Sequence, residues 1–237
     1  MNKERKLHGN KETVVKVCNW LSLPLQALGC CILYLVIEAF SRHSLAAAWS
    51  YMVESPWVFL YNAFLIFTTF MVVYLFRRRV LVRLIMSCFW LLLGIINGVI
   101  LANRVTPFTG PDLRNLSDGA KVVTKYLSKG TMILVAAALV ALLAFFVWVW
   151  IKGPKFQGKI RWYLNVPLIA LVIVLFTGAT NLALAKRVLS SYFVNIAFAY
   201  QDYGYPYCLA VTLFDTGISE PNGYSEQLVN QIETSEG

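Results

Sequence analysis

Residues 57–102 decide the fold. They read WVFLYNAFLIFTTFMVVYLF at 57–76, RRR at 77–79 and VLVRLIMSCFWLLLGIINGVILA at 80–102. A bilayer's hydrocarbon core is about 30 Å thick and a helix rises about 1.5 Å per residue, so about 20 apolar residues cross it. Both apolar flanks meet that length. The three arginines between them leave room only for a tight turn at the membrane surface, which predicts a hairpin of two spans. Each span must be a helix, because hydrocarbon holds no water to satisfy open backbone groups. Arg83, one turn into the second span, can snorkel back to the headgroups.

Three more stretches outside this hairpin have span length: residues 21–40, 131–151 and 163–185. The expected fold class is therefore an all-α membrane protein of five transmembrane helices. A 58% hydrophobic composition and a mean hydropathy of +0.62 agree with it. The expected organisation is a basic lead at 1–19 and a membrane domain at 20–186. A juxtamembrane segment at 187–218 and a polar linker at 219–237 follow.

The net charge of +9 would suggest nucleic acid in a soluble protein. The placement of the charges argues for a membrane instead. With the amino terminus inside, the inner segments hold 13 Lys and Arg against Glu4 and Glu12, and the outer ones hold eight against ten acids. That bias predicts an inside amino terminus and an outside carboxyl terminus. It also predicts attraction to anionic lipid rather than to nucleic acid.

The five cysteines form no framework and no CxxC pair. Four lie in or beside spans, where Cys packs as a small apolar residue. Cys208 is outside without an outside partner, and reads as packed rather than reactive. His8 and His43 fall on opposite sides of the predicted membrane, so they cannot share a metal.

Two polar groups lie inside spans, Asn97 and Asn181. Such groups usually hydrogen-bond between helices. Gly94 and Gly98 flank Asn97 as GxxxG, which permits close helix approach, read here as internal packing.

The outer loop opens RVTPFTGPDL at 104–113. Its prolines and glycine mark turns, and Asp112 is placed to cap a helix. Leu113, Leu116, Ala120, Val123 and Leu127 then recur at spacings of three and four. The charges Arg114, Asp118, Lys121 and Lys125 fall on the opposite face. This predicts an amphipathic helix along the outer membrane surface at about 112–129. It either rests on the bundle or presents a headgroup platform, for which Arg104, Asp112, Arg114, Lys121 and Lys125 are the candidate contacts. The tail carries NIAFAYQDYGYPYC at 195–208, whose tyrosines suit a membrane interface. A helix followed by a turn at Gly204 or Pro206 is expected there.

These two strings, with Thr216-Gly217-Ile218 and then Pro221, Tyr224 and Ser225, resemble the membrane domain of the lipoteichoic-acid synthase family of phosphoglycerol transferases. The first looks like that family's outer-loop motif containing TPF and DL, the second like its juxtamembrane segment. The resemblance covers most of the chain. It implies a five-span anchor in a bacterial cell membrane, with an anionic lipid partner, phosphatidylglycerol. It also implies a sulfatase-like extracellular domain after the linker, carrying a threonine nucleophile and a divalent metal, manganese or magnesium. None of that chemistry lies in these 237 residues. No catalytic or metal-binding residue is therefore assigned, and no cofactor is expected in this chain. The expected role is to anchor a phosphoglycerol transferase and position its lipid. The competing role is a multi-pass protein that recruits or regulates envelope enzymes.

Overall fold

A computed structural model describes residues 22–115, 129–153, 156, 160 and 162–214. Among them the chain is helical, without a strand. The long helices are α1 (Ser22–Ser41), α3 (Pro56–Phe70), α4 (Arg79–Leu101), α6 (Lys129–Lys152) and α7 (Trp162–Ala185). Between them lie α2 (Leu45–Glu54) and α5 (Gly110–Arg114), and α8 (Ile196–Tyr203) and α9 (Tyr205–Phe214) follow.

Among the described residues four helices are long and apolar enough to cross a membrane: α1, α3 with its 3-10 extension Met71–Leu75, α4 and α7. α6, at the place of the remaining expected span, is a 24-residue helix that includes the apolar run Val140–Lys152. Four of the five expected spans thus have a helix of span length and composition among the described residues.

The predicted hairpin is present. Pro56 sits in the first turn of α3, where its fixed φ suits a helix and its missing N–H costs nothing. The helix tightens at Met71–Leu75, and Phe76 is extended. The Arg77 carbonyl at the turn accepts a hydrogen bond from Phe156 N at 2.8 Å. Arg78 lies over the Trp150 ring of α6 at 4.7 Å, and Asn165 Nδ2 of α7 donates to Tyr74 O at 2.8 Å. The segments around residues 77–83 and 150–165 thus share one end of the bundle, called here the arginine end. The opposite end, where α1 and α4 finish, is the cap end.

Inside the bundle α1 packs against α3 and α4. Gly94 and Gly98 make the α1–α4 approach possible: a Cβ at Gly98 would stand 2.8 Å from Phe40 O, and one at Gly94 3.1 Å from Ile37 Cγ1. The GxxxG face is consumed inside the chain. Aromatic contacts tie α3 to its neighbours: Tyr61 stacks on Phe176 of α7 at 5.5 Å and meets the edge of Tyr207 of α9 at 5.5 Å.

Two expectations need correction at the cap end. The stretch 41–56, for which no helix was expected, contains α2. Ser44 caps it, accepting from Ala47 N. Leu45, Trp49 and Val53 recur every fourth residue and are exposed, the stripe of a helix lying at an interface. The outer-loop helix starts at Gly110, not after Asp112, with Thr109 as its N-cap. Asp112 is the third residue of the turn and reaches back: its Oδ2 accepts from Thr109 N and Thr109 Oγ1, each at 2.9 Å. Of the expected surface helix at 112–129, Asp112–Arg114 lie in α5, which Asn115 ends, and Lys129 opens α6; the stretch 116–128 lies outside the described residues.

Candidate functional site

The two motif strings, about a hundred positions apart, meet at the cap end. Asn97, fully buried in α4, organises the first. Its Nδ2 donates to Ser41 Oγ of α1 at 2.9 Å, and its Oδ1 accepts from Phe108 N at 2.8 Å. One side chain thereby joins two spans and pins the loop above them. Arg104 wraps that loop from within, donating to Thr106 O and Pro107 O and, bidentately, to Asp112. Burial alone would raise the Asp112 carboxyl; the bonds from Arg104 and Thr109 outweigh it and hold the group below the usual carboxylate range.

The second string forms the α8–α9 hairpin. Asn195 caps α8 through its bond from Ala197 N at 2.9 Å. The turn falls at Gly204, with φ +82°, a left-handed conformation that suits glycine. This glycine is pressed into the bundle: an added Cβ would lie 2.3 Å from Tyr34 Oη and 2.7 Å from Asn62 Nδ2. Two buried polar side chains hold the turn. Asn62 of α3 donates to Tyr203 O at 2.8 Å and accepts from Tyr207 N at 2.9 Å. Glu38 of α1 accepts from Tyr205 N at 3.1 Å and pairs with Arg42 at 3.0 Å. Arg42 lies 4.0 Å over the Tyr51 ring of α2 and donates to Gln201 O of α8. The hairpin is then stitched to the loop: Gly110 N donates to Thr212 Oγ1 at 3.0 Å and Arg114 Nη2 to Leu213 O at 2.9 Å.

Beneath this cap lies a cavity of about 750 Å³ among α3, α4, α7 and α9. Phe89, Trp90, Phe176 and Pro206 give it apolar walls, and polar groups such as Thr69, Thr180 and Ser191 are interspersed. It runs from the middle of the spans to the cap.

The candidate headgroup residues therefore divide. Arg104, Asp112 and Arg114 gather in one loop, and each is engaged with protein groups there. Lys121 and Lys125 lie outside the described residues. Of the packing candidates, Gly94, Asn97 and Gly98 hold α1 to α4, whereas Asn181 is exposed on α7 and is hydrogen-bonded to no other helix among the described residues. Sequence reading passed over Glu38 and Asn62. Glu38 did leave a signal: a carboxylate in an apolar span with an arginine four residues on. Cys208 is buried, and its thiol is raised, first by burial and then by the Glu38 charge.

Among the described residues no group of three His, Cys, Asp or Glu comes together. The divalent metal that the resemblance implies has no fitting ligand set here, and no step through it is derived. Comparison with known proteins finds no matching family model, no similar curated protein and no similar solved structure.

Proposed function

We propose that this chain is the membrane part of a phosphoglycerol transferase of the lipoteichoic-acid synthase kind, anchoring the enzyme and positioning its lipid. In this reading it crosses a bacterial cell membrane five times, α6 included, with the amino terminus inside and the cap end outside. The lipid is anionic phosphatidylglycerol. Its acyl chains enter the cavity under α9, and its headgroup meets the 104–129 loop, with Lys121 and Lys125 as the phosphate contacts.

The observation that carries this reading is the joining of residues 104–113 to the α8–α9 hairpin directly over an apolar cavity. The first string is bonded to α9, the helix in which the second string ends, and together they roof a space of lipid chemistry. A cavity of several hundred cubic ångströms with few polar groups suits an alkyl chain.

The test is crosslinking with a phosphatidylglycerol carrying a photoactivatable acyl chain. Crosslinks should concentrate on α3, α4 and α9, and Ala210→Trp, which fills the cavity, should remove most of them. Charge reversal at Lys121 and Lys125 should weaken retention more at low salt than at high salt. Crosslinks spread evenly over all the helices, α6 included, would defeat the reading. Reading the coding sequence past residue 237 separates the two roles: a sulfatase-like domain supports the transferase, a stop codon the recruiter of envelope enzymes.

A further inference from the structure

The arginine end holds a second polar constellation, unconnected with the cap. Arg79 and Arg83 both face the Tyr74 ring, at 5.1 and 5.9 Å, and Arg79 also lies 3.8 Å over Phe156. Such stacking engages the flat face of a guanidinium and leaves its in-plane N–H groups for an acceptor. Those groups lack one. Arg79 Nε and Arg83 Nη2 are buried without a hydrogen-bond partner, as are Arg78 Nη1 and Gln26 Nε2 nearby in the same end. The bond that fixes Arg83 runs from its Nε to Gln26 Oε1 at 3.1 Å, and it turns Gln26 into a further free donor.

Several buried donors and three cations between Arg78 and Arg83 are costly unless an anion meets them. The described residues supply none: their four carboxylates, Glu38, Glu54, Asp112 and Asp202, all lie toward the cap end. Beside Arg83 is a pocket of about 360 Å³ with a polar rim of Ser22, Gln26, Arg83 and Ser87 and an apolar floor that includes Leu33 and Phe70. A polar rim at the span boundary over an apolar floor matches a phospholipid at the point where headgroup meets chain. At that depth the abundant anion is the lipid phosphodiester, whose oxygens fit the guanidinium fork.

We propose that Arg79 and Arg83, braced by Tyr74 and Gln26, bind the phosphodiester of an anionic phospholipid in the leaflet at the arginine end. The site is independent of the cap-end cavity, and it holds whichever end of the bundle faces the cytoplasm. Its occupant is a structural lipid that completes the hairpin turn between α3 and α4.

Native mass spectrometry of the full chain, released from micelles containing equal phosphatidylglycerol and phosphatidylcholine, tests it. The wild type should retain phosphatidylglycerol preferentially. The double substitution Arg79→Gln/Arg83→Gln should lower that retention about tenfold or more, the scale of one lost charge-assisted hydrogen bond. Arg187→Gln, at the other end, should not. Gln26→Glu guards against a folding artefact. Its carboxylate would satisfy Arg83 from within, so it should lower lipid retention while the melting temperature holds or rises. Glycerol phosphate or inorganic phosphate that displaced the lipid at millimolar concentration would make the ligand a free anion and overturn the lipid assignment. Equal retention of the two lipids, or undiminished retention by both the double variant and Gln26→Glu, would overturn the site. Increased retention in Glu4→Gln/Glu12→Gln would also overturn it, by showing that the chain's own acids serve the arginines.

Discussion

Glu38 Oε1 accepts the backbone N–H of Tyr205 at 3.1 Å, across 167 positions of sequence. The carboxylate is fully buried, and its other oxygen is held by Arg42. One charged side chain of the first described span thus fixes the start of the last described helix. The cap is a plug set into the bundle at this point, with Gly204 as its tip. The backbone N–H groups of Tyr205 and Tyr207 at the tip are met by protein side chains, whereas the buried Tyr205 hydroxyl has no partner.

Removing Glu38 should therefore loosen the cap more than any surface change. Glu38→Ala leaves Arg42 and Tyr205 N without their acceptor, at a cost of about 3–5 kcal/mol. Glu38→Gln, which keeps an acceptor for Tyr205, should cost less. Thermal unfolding in detergent, followed by circular dichroism, checks the order. Equal midpoints for Glu38→Ala and the wild type would contradict the account.

Gly204→Ala should be comparably damaging. The new methyl would enter the space of Tyr34 Oη and Asn62 Nδ2 while the backbone remains at φ +82°. Strain and overpacking together amount to about 2–4 kcal/mol. Gly29→Ala, with nothing within 4 Å of the added carbon, is the control and should be neutral within about 0.5 kcal/mol. The same unfolding assay reads both.

The loop at 104–113 should weaken in acid. Asp112 has a folded-state pKa below its unfolded value of about 3.9. Its contribution is present above that unfolded value and is lost as the pH falls through the lower, folded one. Both partners of the Arg104 pair are partly exposed, so the contribution is small, about 1 kcal/mol or less. Protection of the Thr109 amide, relative to its intrinsic exchange rate, should fall below about pH 4 in the wild type. Asp112→Asn should show fast exchange already at neutral pH.

Cys208 should resist alkylation in the folded protein. It is buried, and burial pushes its thiol up, so the reactive thiolate is scarce at neutral pH. In a variant whose other four cysteines are replaced by alanine, iodoacetamide should label Cys208 only after denaturation. Rapid labelling of the native form would mean that the α8–α9 hairpin swings out of the bundle.

Opposite ends of the bundle should label from opposite sides of the membrane. Val105→Cys and Arg77→Cys, each in a cysteine-free background, test this with an impermeant maleimide on intact cells. Only the first should react, since the basic bias puts Arg77 inside. The reverse pattern would invert the orientation without changing the fold.

Much of the architecture was legible in the sequence because the membrane imposes a simple rule. A run of about 20 apolar residues must be a helix, whatever it touches. The hairpin at 57–102, the close approach at Gly94 and Gly98, the interhelical role of Asn97 and a turn at Gly204 followed from length, residue size and local conformation. Contacts between distant segments follow no such rule. That Arg104 turns inward to Asp112, that residues 104–113 meet α9, and that Glu38 and Asn62 hold the α8–α9 hairpin depend on which helices lie side by side. Helix α2 escaped notice because its apolar stripe is short and its role is interfacial. The sequence by itself determined a helical protein with several helices of membrane-span length. Only the tertiary structure decided which buried polar groups answer one another at the cap and which stay unanswered at the arginines, because hydrogen bonds act over about 3 Å and sequence distance carries no information on that scale.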